Sequence, residues 1–126
     1  MERQGRVLIL DDEKIVRLNL VAFFQDEGFA VSAADSAESA LVQLGKCKID
    51  FAIVDIRLAG MGGEDFIRNA LQDYPKLHCL VYTGAVEYRL PADLLELGVS
   101  SEDVFMKPVV DMQRLTRRMV EGGQVY

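Results

Sequence analysis

The chain is poor in the residue types that staple a fold or build soft-metal sites. It has no tryptophan, three prolines, one histidine and two cysteines. Cys47 and Cys79 form no CxxC pair, so they read as inert thiols rather than a disulfide or a metal site. A single histidine is too few for a histidine metal cage, and His78 reads as a packed or half-exposed strand residue rather than the centre of a triad. Positive charge is scarce too: 14 Lys and Arg against 20 Asp and Glu leave a net charge of -6. Such a chain suits nucleic acid poorly, because phosphates need clustered cations, and it lacks a polybasic segment for an anionic membrane. No apolar run approaches the ~20 residues that cross a bilayer. The first residues lead straight into a strand-like run without the apolar core of a signal peptide. The expected setting is therefore cytoplasmic, with no membrane contact and no direct DNA binding.

What remains is a chain of 126 residues, 50% apolar and 27% charged, the size and composition of one folded domain. Strand-length apolar runs alternate with segments of helical period. The first strand, β1, is predicted over 7–10. Helix α1 follows over 14–27, with Val16, Leu20, Phe23 and Phe24 on one face and Gly28 closing it. A more polar edge strand, β2, covers 29–34. Ser36 caps α2 over 37–44, which Gly45 stops. Strand β3 spans 50–55 and leads into a loop with Gly60, Gly62 and Gly63. Helix α3 covers 64–73, ended by Pro75, and β4 covers 77–82. Residues 86–90 read as irregular and delay α4, predicted over 90–97 with Pro91 in its first turn and Gly98 after it. A turn over 99–103 precedes β5 at 104–106. Helix α5 is predicted over 111–121, with Met112, Leu115 and Met119 on one face, and 122–126 read as a frayed tail.

Five βα units with near-continuous apolar strands imply a doubly wound α/β fold: a parallel sheet with helices on both faces. The expected strand order is 2-1-3-4-5, as in flavodoxin-like folds. The whole of 1–126 is expected to be this one domain, with no output domain.

Parallel strands point their C-terminal ends one way, so the residues that end them converge at one edge. β1 ends on Asp11 and Asp12, β3 on Asp55, β4 on Thr83 and β5 on Lys107. In the order 2-1-3-4-5 these strands are neighbours beside the crevice where open α/β sheets bind ligands. Three gathered carboxylates repel, and one lysine leaves a charge deficit that a hard divalent cation can fill. Mg2+ takes oxygen ligands, typically one or two carboxylates with waters and a phosphate. Asp12 and Asp55 fit as direct ligands, with Asp11 acting through water and the backbone carbonyl of Arg57 completing the set. One carboxylate could then attack phosphorus in line and form an acyl phosphate, and Asp55, on the central strand, is the candidate. Lys107 and the Thr83 hydroxyl could hold the phosphoryl oxygens.

With these residues in this order, the sequence resembles the receiver domain of two-component response regulators over essentially its whole length. The matching pieces are Asp11-Asp12, Asp55, Gly60-Met61-Gly62-Gly63, Thr83-Gly84 and Lys107-Pro108. The resemblance implies a phosphorelay signalling switch, phosphorylated on Asp55 by a sensor histidine kinase or phosphotransfer protein in a Mg2+-dependent step. It implies a phosphoprotein that is not an enzyme beyond accepting and hydrolysing its own phosphoryl group, and that acts through a downstream protein target. It further implies that Thr83 shifts toward the phosphoryl group and that Lys107-Pro108 is a cis peptide.

The chain departs from the family pattern in places. Ala59-Gly60 stands where the family usually has Pro-Gly, and Gly62 where Asp is common. Val104 occupies the usual place of a switch aromatic, while Phe105 should point to the opposite face of its strand. These departures motivate an alternative, a receiver-like interaction domain that works without phosphorylation. A dehalogenase-type phosphatase would want a second Asp two positions after the first; Asp11 is followed by Asp12 and Glu13. A flavin carrier would want Gly, Ser or Thr in this acidic first loop. Arg114, Arg117 and Arg118 read as a solvated face or, alternatively, as one that meets Asp93, Glu96, Glu102 or Asp103 of a second copy. The latter is a homodimer through α4–β5–α5, which resembles family practice.

Overall fold

The computed structural model describes residues 5–109 and 111–122. Its elements run β1 (Arg6–Leu10), α1 (Lys14–Asp26), β2 (Ala30–Ala34), α2 (Ala37–Lys46), β3 (Phe51–Val54), α3 (Gly63–Asp73), β4 (His78–Thr83), α4 (Ala92–Glu96), a 3₁₀ turn (Ser101–Asp103), β5 (Val104–Met106) and α5 (Gln113–Gly122). The sheet is parallel throughout, in the order β2-β1-β3-β4-β5, as the alternation implied. It is the doubly wound, flavodoxin-like arrangement.

Each strand feeds two cores because its side chains alternate. From β1, Leu8 and Leu10 join the cluster beneath α2, α3 and α4, with Phe66, Ile67 and Leu94. Val7 and Ile9 join the cluster beneath α1 and α5, with Phe24, Leu115 and Met119. On β5, Phe105 is buried on the α1–α5 side while Val104 packs against the opposite cluster, so the two residues do face apart. Burial on both faces explains why the strands read as unbroken apolar runs rather than alternating ones.

Local signals hold at most element ends. Ser36 Oγ accepts the Ser39 N–H at 3.1 Å and starts α2. Gly28 and Gly98 take φ +97 and +107 after α1 and α4, conformations that L side chains rarely adopt. Several boundaries differ from the sequence reading. Gly45 does not stop α2; the helix runs on to Lys46 and ends at Cys47, whose N–H still reaches the Gln43 carbonyl. Helix α4 starts late, as the irregular residues before it suggested, and is shorter than read, with five residues and Pro91 as its N-cap. The turn before β5 is a 3₁₀ helix closed by a capping box, in which Ser100 Oγ accepts the Glu102 N–H and Asp103 accepts the Ser100 N–H. Helix α5 begins two residues late because Asp111 Oδ1 accepts the Gln113 N–H just ahead of it. Of the tail 122–126, positions 123–126 lie outside the described residues.

The three arginines of α5 find partners within their own chain. Arg118 pairs with Asp103 at 2.7 Å and with Glu102 at 3.2 Å, because the C-terminal half of α5 packs beside the 3₁₀ turn. Arg117 meets Asp111, and Arg114 lies over the Phe105 ring. Asp93 is taken by Arg68 of α3. Three of the acids that the alternative reading gave to a second copy, Asp93, Glu102 and Asp103, thus have partners within the chain.

Candidate functional site

Four of the sequence-predicted side chains meet at the C-terminal edge of the sheet. Backbone bonds beyond the regular ladders set their positions. The Asp55 N–H donates to the Leu10 carbonyl at 2.9 Å, the Asp11 N–H to Ala34 at 3.2 Å, and the Lys107 N–H to Thr83 at 2.8 Å. Asp11, Asp55 and Lys107 are therefore each held as the first residue past a paired strand, at the edge where the crevice lies.

Asp11, Asp12 and Asp55 each place a carboxylate oxygen within 4.8 Å of the others. Asp11 and Asp55 are buried and Asp12 is exposed, so the cluster has a floor and an open side. Asp11 Oδ1 accepts the Glu13 N–H at 2.9 Å, and its Oδ2 accepts from the Lys107 ammonium at 2.9 Å. The same ammonium lies 3.6 Å from Asp55 Oδ2 and 3.7 Å from Glu13 Oε1. It also sits 5.5 Å from the centroid of the Tyr82 ring. Lys107 and Asp11 are 96 positions apart, so only the fold makes this contact.

Charge governs the site. Burial is the largest influence on Asp55 and pushes its carboxyl up from 3.8 to about 6; nearby Lys107 opposes this, and Asp11 and Asp12 add to it. Burial pulls the Lys107 ammonium down, but its bond to Asp11 and the charges of Asp55, Asp11 and Glu13 outweigh that and raise its pKa. One ammonium among four carboxylates leaves the crevice short of positive charge. The donor set is oxygen alone, which fits a hard divalent cation such as Mg2+ and not a thiolate- or imidazole-loving metal. Among the described residues this is the only such cluster.

Two expected residues stand differently. Thr83 is fully buried at the end of β4, and the described partner of its hydroxyl is the Ala85 N–H, at 3.1 Å, rather than a carboxylate. Arg57 touches the site through its backbone N–H, which donates to Asp55 Oδ1 at 3.2 Å. Its side chain is exposed and lines a cavity of about 490 Å³ with Glu64, Ala85 and Tyr88. Lys107-Pro108 is a cis peptide, as the resemblance implied.

Three contributors escaped the sequence reading. Gly63 opens α3 so close to β3 that a Cβ there would overlap the Asp55 carbonyl oxygen and fall 2.9 Å from the Ile56 Cα. The third glycine of the loop was the available signal. Glu13, the last of three consecutive acids, reaches Lys107. Tyr88, from the irregular segment before α4, donates its hydroxyl to Glu64 at 2.8 Å and ties that segment to α3.

Comparison with known proteins gives the same picture. A family model described as the response regulator receiver domain matches residues 7–120. The response regulator GacA of Pseudomonas viridiflava is 29% identical over 123 residues, which cover 96% of this chain and 57% of GacA. The alginate biosynthesis transcriptional regulatory protein AlgB of Pseudomonas aeruginosa is 28% identical over 107 residues, 85% of this chain and 23% of AlgB. The chain thus spans somewhat over half the length of the first relative and about a quarter of the second. Among solved structures, a response regulator receiver protein from Pseudomonas putida superimposes with a TM-score of 0.79 at 29% identity, covering 93% of this chain and 96% of that one. TrrA from Thermotoga maritima, solved in complex with Mg2+-BeF, shares the fold with a TM-score of 0.77 at 23% identity, covering 92% and 96%.

Proposed function

The chain belongs to the response regulator receiver domain family of two-component systems, and we propose that within it the chain is a phosphoryl-accepting switch with Asp55 as the acceptor. The observation that carries this reading is the gathering of the Asp11, Asp12 and Asp55 carboxylates in one cluster, with the Lys107 ammonium 2.9 Å from Asp11 and 3.6 Å from Asp55. Asp55 is the carboxylate on the central strand, and its raised pKa of about 6 leaves it mostly ionised, hence nucleophilic, at neutral pH.

In the proposed step a carboxylate oxygen of Asp55 attacks the phosphorus of a phosphohistidine on a sensor kinase or phosphotransfer protein. The new O–P bond forms as the P–N bond breaks, and the departing imidazole takes up a proton. Asp11, Asp12, Asp55 and the Arg57 carbonyl would hold Mg2+. When bound, the ion offsets the negative charge that the phosphoryl group brings to an already acidic crevice. Lys107 then exchanges part of its contact with Asp11 for a phosphoryl oxygen. Thr83 exchanges the Ala85 N–H for another, and that exchange favours the active conformation of the loop after β4. TrrA, which shares the fold, was solved in complex with Mg2+-BeF, and that supports Mg2+ as the ion here.

The protein modifies only itself, and its output is contact with a downstream protein. The exposed apolar side chains Leu95, Leu97 and Met106 support the α4–β5–α5 face as that contact surface, for a target or a second copy. The net charge of -6 supports an output without direct DNA contact by this domain, in the cytoplasm where its kinase would act. Residues 1–126 act as one module in this reading.

Incubation with Mg2+ and acetyl phosphate, followed by intact-mass measurement, tests the proposal. The expected result is a gain of one phosphoryl group in the native protein and none in Asp55→Asn. No gain under conditions that label a known receiver would overturn it. The reading then left is an interaction domain independent of phosphorylation, which the small Val104 at the usual aromatic position favours.

A further inference from the structure

At the opposite edge of the sheet lies a cavity of about 680 Å³, between the α2–β3 and α3–β4 connections. Its position separates it from the acidic crevice. It opens where β3 and β4 begin, whereas Asp55 and Thr83 stand where they end, a strand length of roughly 13 Å away at ~3.3 Å per residue. The buried side chains of Leu44, Ile49 and Leu77 contribute its apolar lining, and Tyr74 and Pro75 lie at its exposed wall.

The rim carries the opposite charge to the rest of the molecule. Lys46, Lys48 and Lys76 all line this cavity, and all three are exposed. None is ion-paired to a described residue, although the sequence is acidic overall. The one carboxylate in the lining, Asp50, is engaged by the Arg6 N–H at 3.0 Å. An apolar pocket of this size with a few convergent charged groups has the build of a small-ligand site. Lysines keep their ammonium groups in water while their stems extend the apolar wall, so the rim can bind an anion without leaving buried charge. We propose that this cavity binds a small amphipathic anion, an aromatic or short aliphatic carboxylate or sulfonate, with its apolar body against Leu44, Ile49 and Leu77 and its anionic group among Lys46, Lys48 and Lys76.

The test uses 8-anilinonaphthalene-1-sulfonate as the anionic probe and N-phenyl-1-naphthylamine as its uncharged counterpart, at fixed ionic strength. Saturable binding is expected for the sulfonate, at least tenfold tighter than for the amine. Backbone amide shifts should move at 44–50, 74, 76 and 77 and not at 55, 83 or 107. The triple variant K46Q/K48Q/K76Q should bind the sulfonate at least tenfold more weakly while keeping native circular dichroism and the native urea midpoint. The three sites are exposed, so folding should survive. No saturable binding, equal affinity for the two probes, shifts centred elsewhere, or unchanged affinity in the triple variant would each overturn the proposal. None of these readouts depends on whether Asp55 accepts a phosphoryl group.

Discussion

Asp55 is held in a place that does not suit an isolated carboxylate. It is 5% exposed and its carboxyl is pushed up to about 6, above the 3.8 of an unfolded aspartate. The folded protein therefore keeps this proton longer than the unfolded chain does. Ionising Asp55 costs stability as pH rises from about 4 to about 6, and the cost is fully present above that window. In metal-free buffer at pH 7, Asp55→Asn should be more stable than the native protein by about 1–3 kcal/mol. The gain should vanish below pH 4, where both forms are neutral. Urea unfolding at the two pH values checks this, and a gain independent of pH would contradict it. Gly63 poses the opposite constraint, of space rather than charge. Any Cβ there meets backbone of Asp55 and Ile56, which cannot turn aside as a flexible side chain would. Gly63→Ala should cost about 1–3 kcal/mol, the range for overpacking a tight contact. It should also slow the proposed phosphoryl transfer to Asp55, readable as the rate of mass gain.

Between elements, the strongest polar tie outside the acidic crevice is at Asp103. This carboxylate is 1% exposed and closes the 3₁₀ turn onto the Ser100 N–H. It takes His78 of β4 at 2.7 Å and Arg118 of α5 at 2.7 Å. Burial alone would raise its pKa, but the bonds from His78, Arg118 and Ser100 outweigh it and hold the carboxyl below 3.8. Its stabilising contribution is therefore present above about pH 4 and lost as pH falls through the folded-state value. Asp103→Ala should destabilise the fold by about 3–5 kcal/mol at neutral pH, because it leaves the half-buried Arg118 guanidinium with only the exposed Glu102 and takes the partner from His78 Nε2. The gap between the urea midpoints of variant and native protein should narrow below pH 4. A pH-independent gap would mean that the loss is packing rather than charge. Helix α4, with five residues, buries Leu94 and is tied to α3 by the Arg68–Asp93 pair, with no comparable buried polar anchor among the described residues.

Across the whole molecule the net charge is -6, and the acidic crevice concentrates part of it at one sheet edge. A divalent cation that binds only the folded state raises stability by mass action, about 2.7 kcal/mol at one hundred times its dissociation constant. Mg2+ should raise the thermal midpoint more than a monovalent salt of equal ionic strength. Asp12 is exposed and carries no ion pair to a described residue, so Asp12→Asn should leave metal-free stability within about 0.5 kcal/mol. The same substitution should remove most of the Mg2+ increment. Equal stabilisation of native protein and variant would argue against Asp12 as a ligand.

Much of this molecule was legible from its chain because two periods and a few stop residues carry the information. Apolar runs of strand length, amphipathic helices and the polar residues that end β1, β3, β4 and β5 together dictate a parallel sheet with Asp11, Asp12, Asp55 and Lys107 at one edge. Alternation along β5 was enough to send Val104 and Phe105 to opposite cores. Only the tertiary structure decided how those edge groups pair: that Lys107 bonds Asp11 and stands farther from Asp55, and that the Thr83 hydroxyl is turned to the Ala85 N–H. It alone brought His78, Asp103 and Arg118 together and left three lysines around an apolar cavity. The physical reason is range. Periodicity reports which face of its own element a side chain occupies. Hydrogen bonds and ion pairs between elements depend on distances of a few tenths of an ångström, set only when helices, strands and turns have packed.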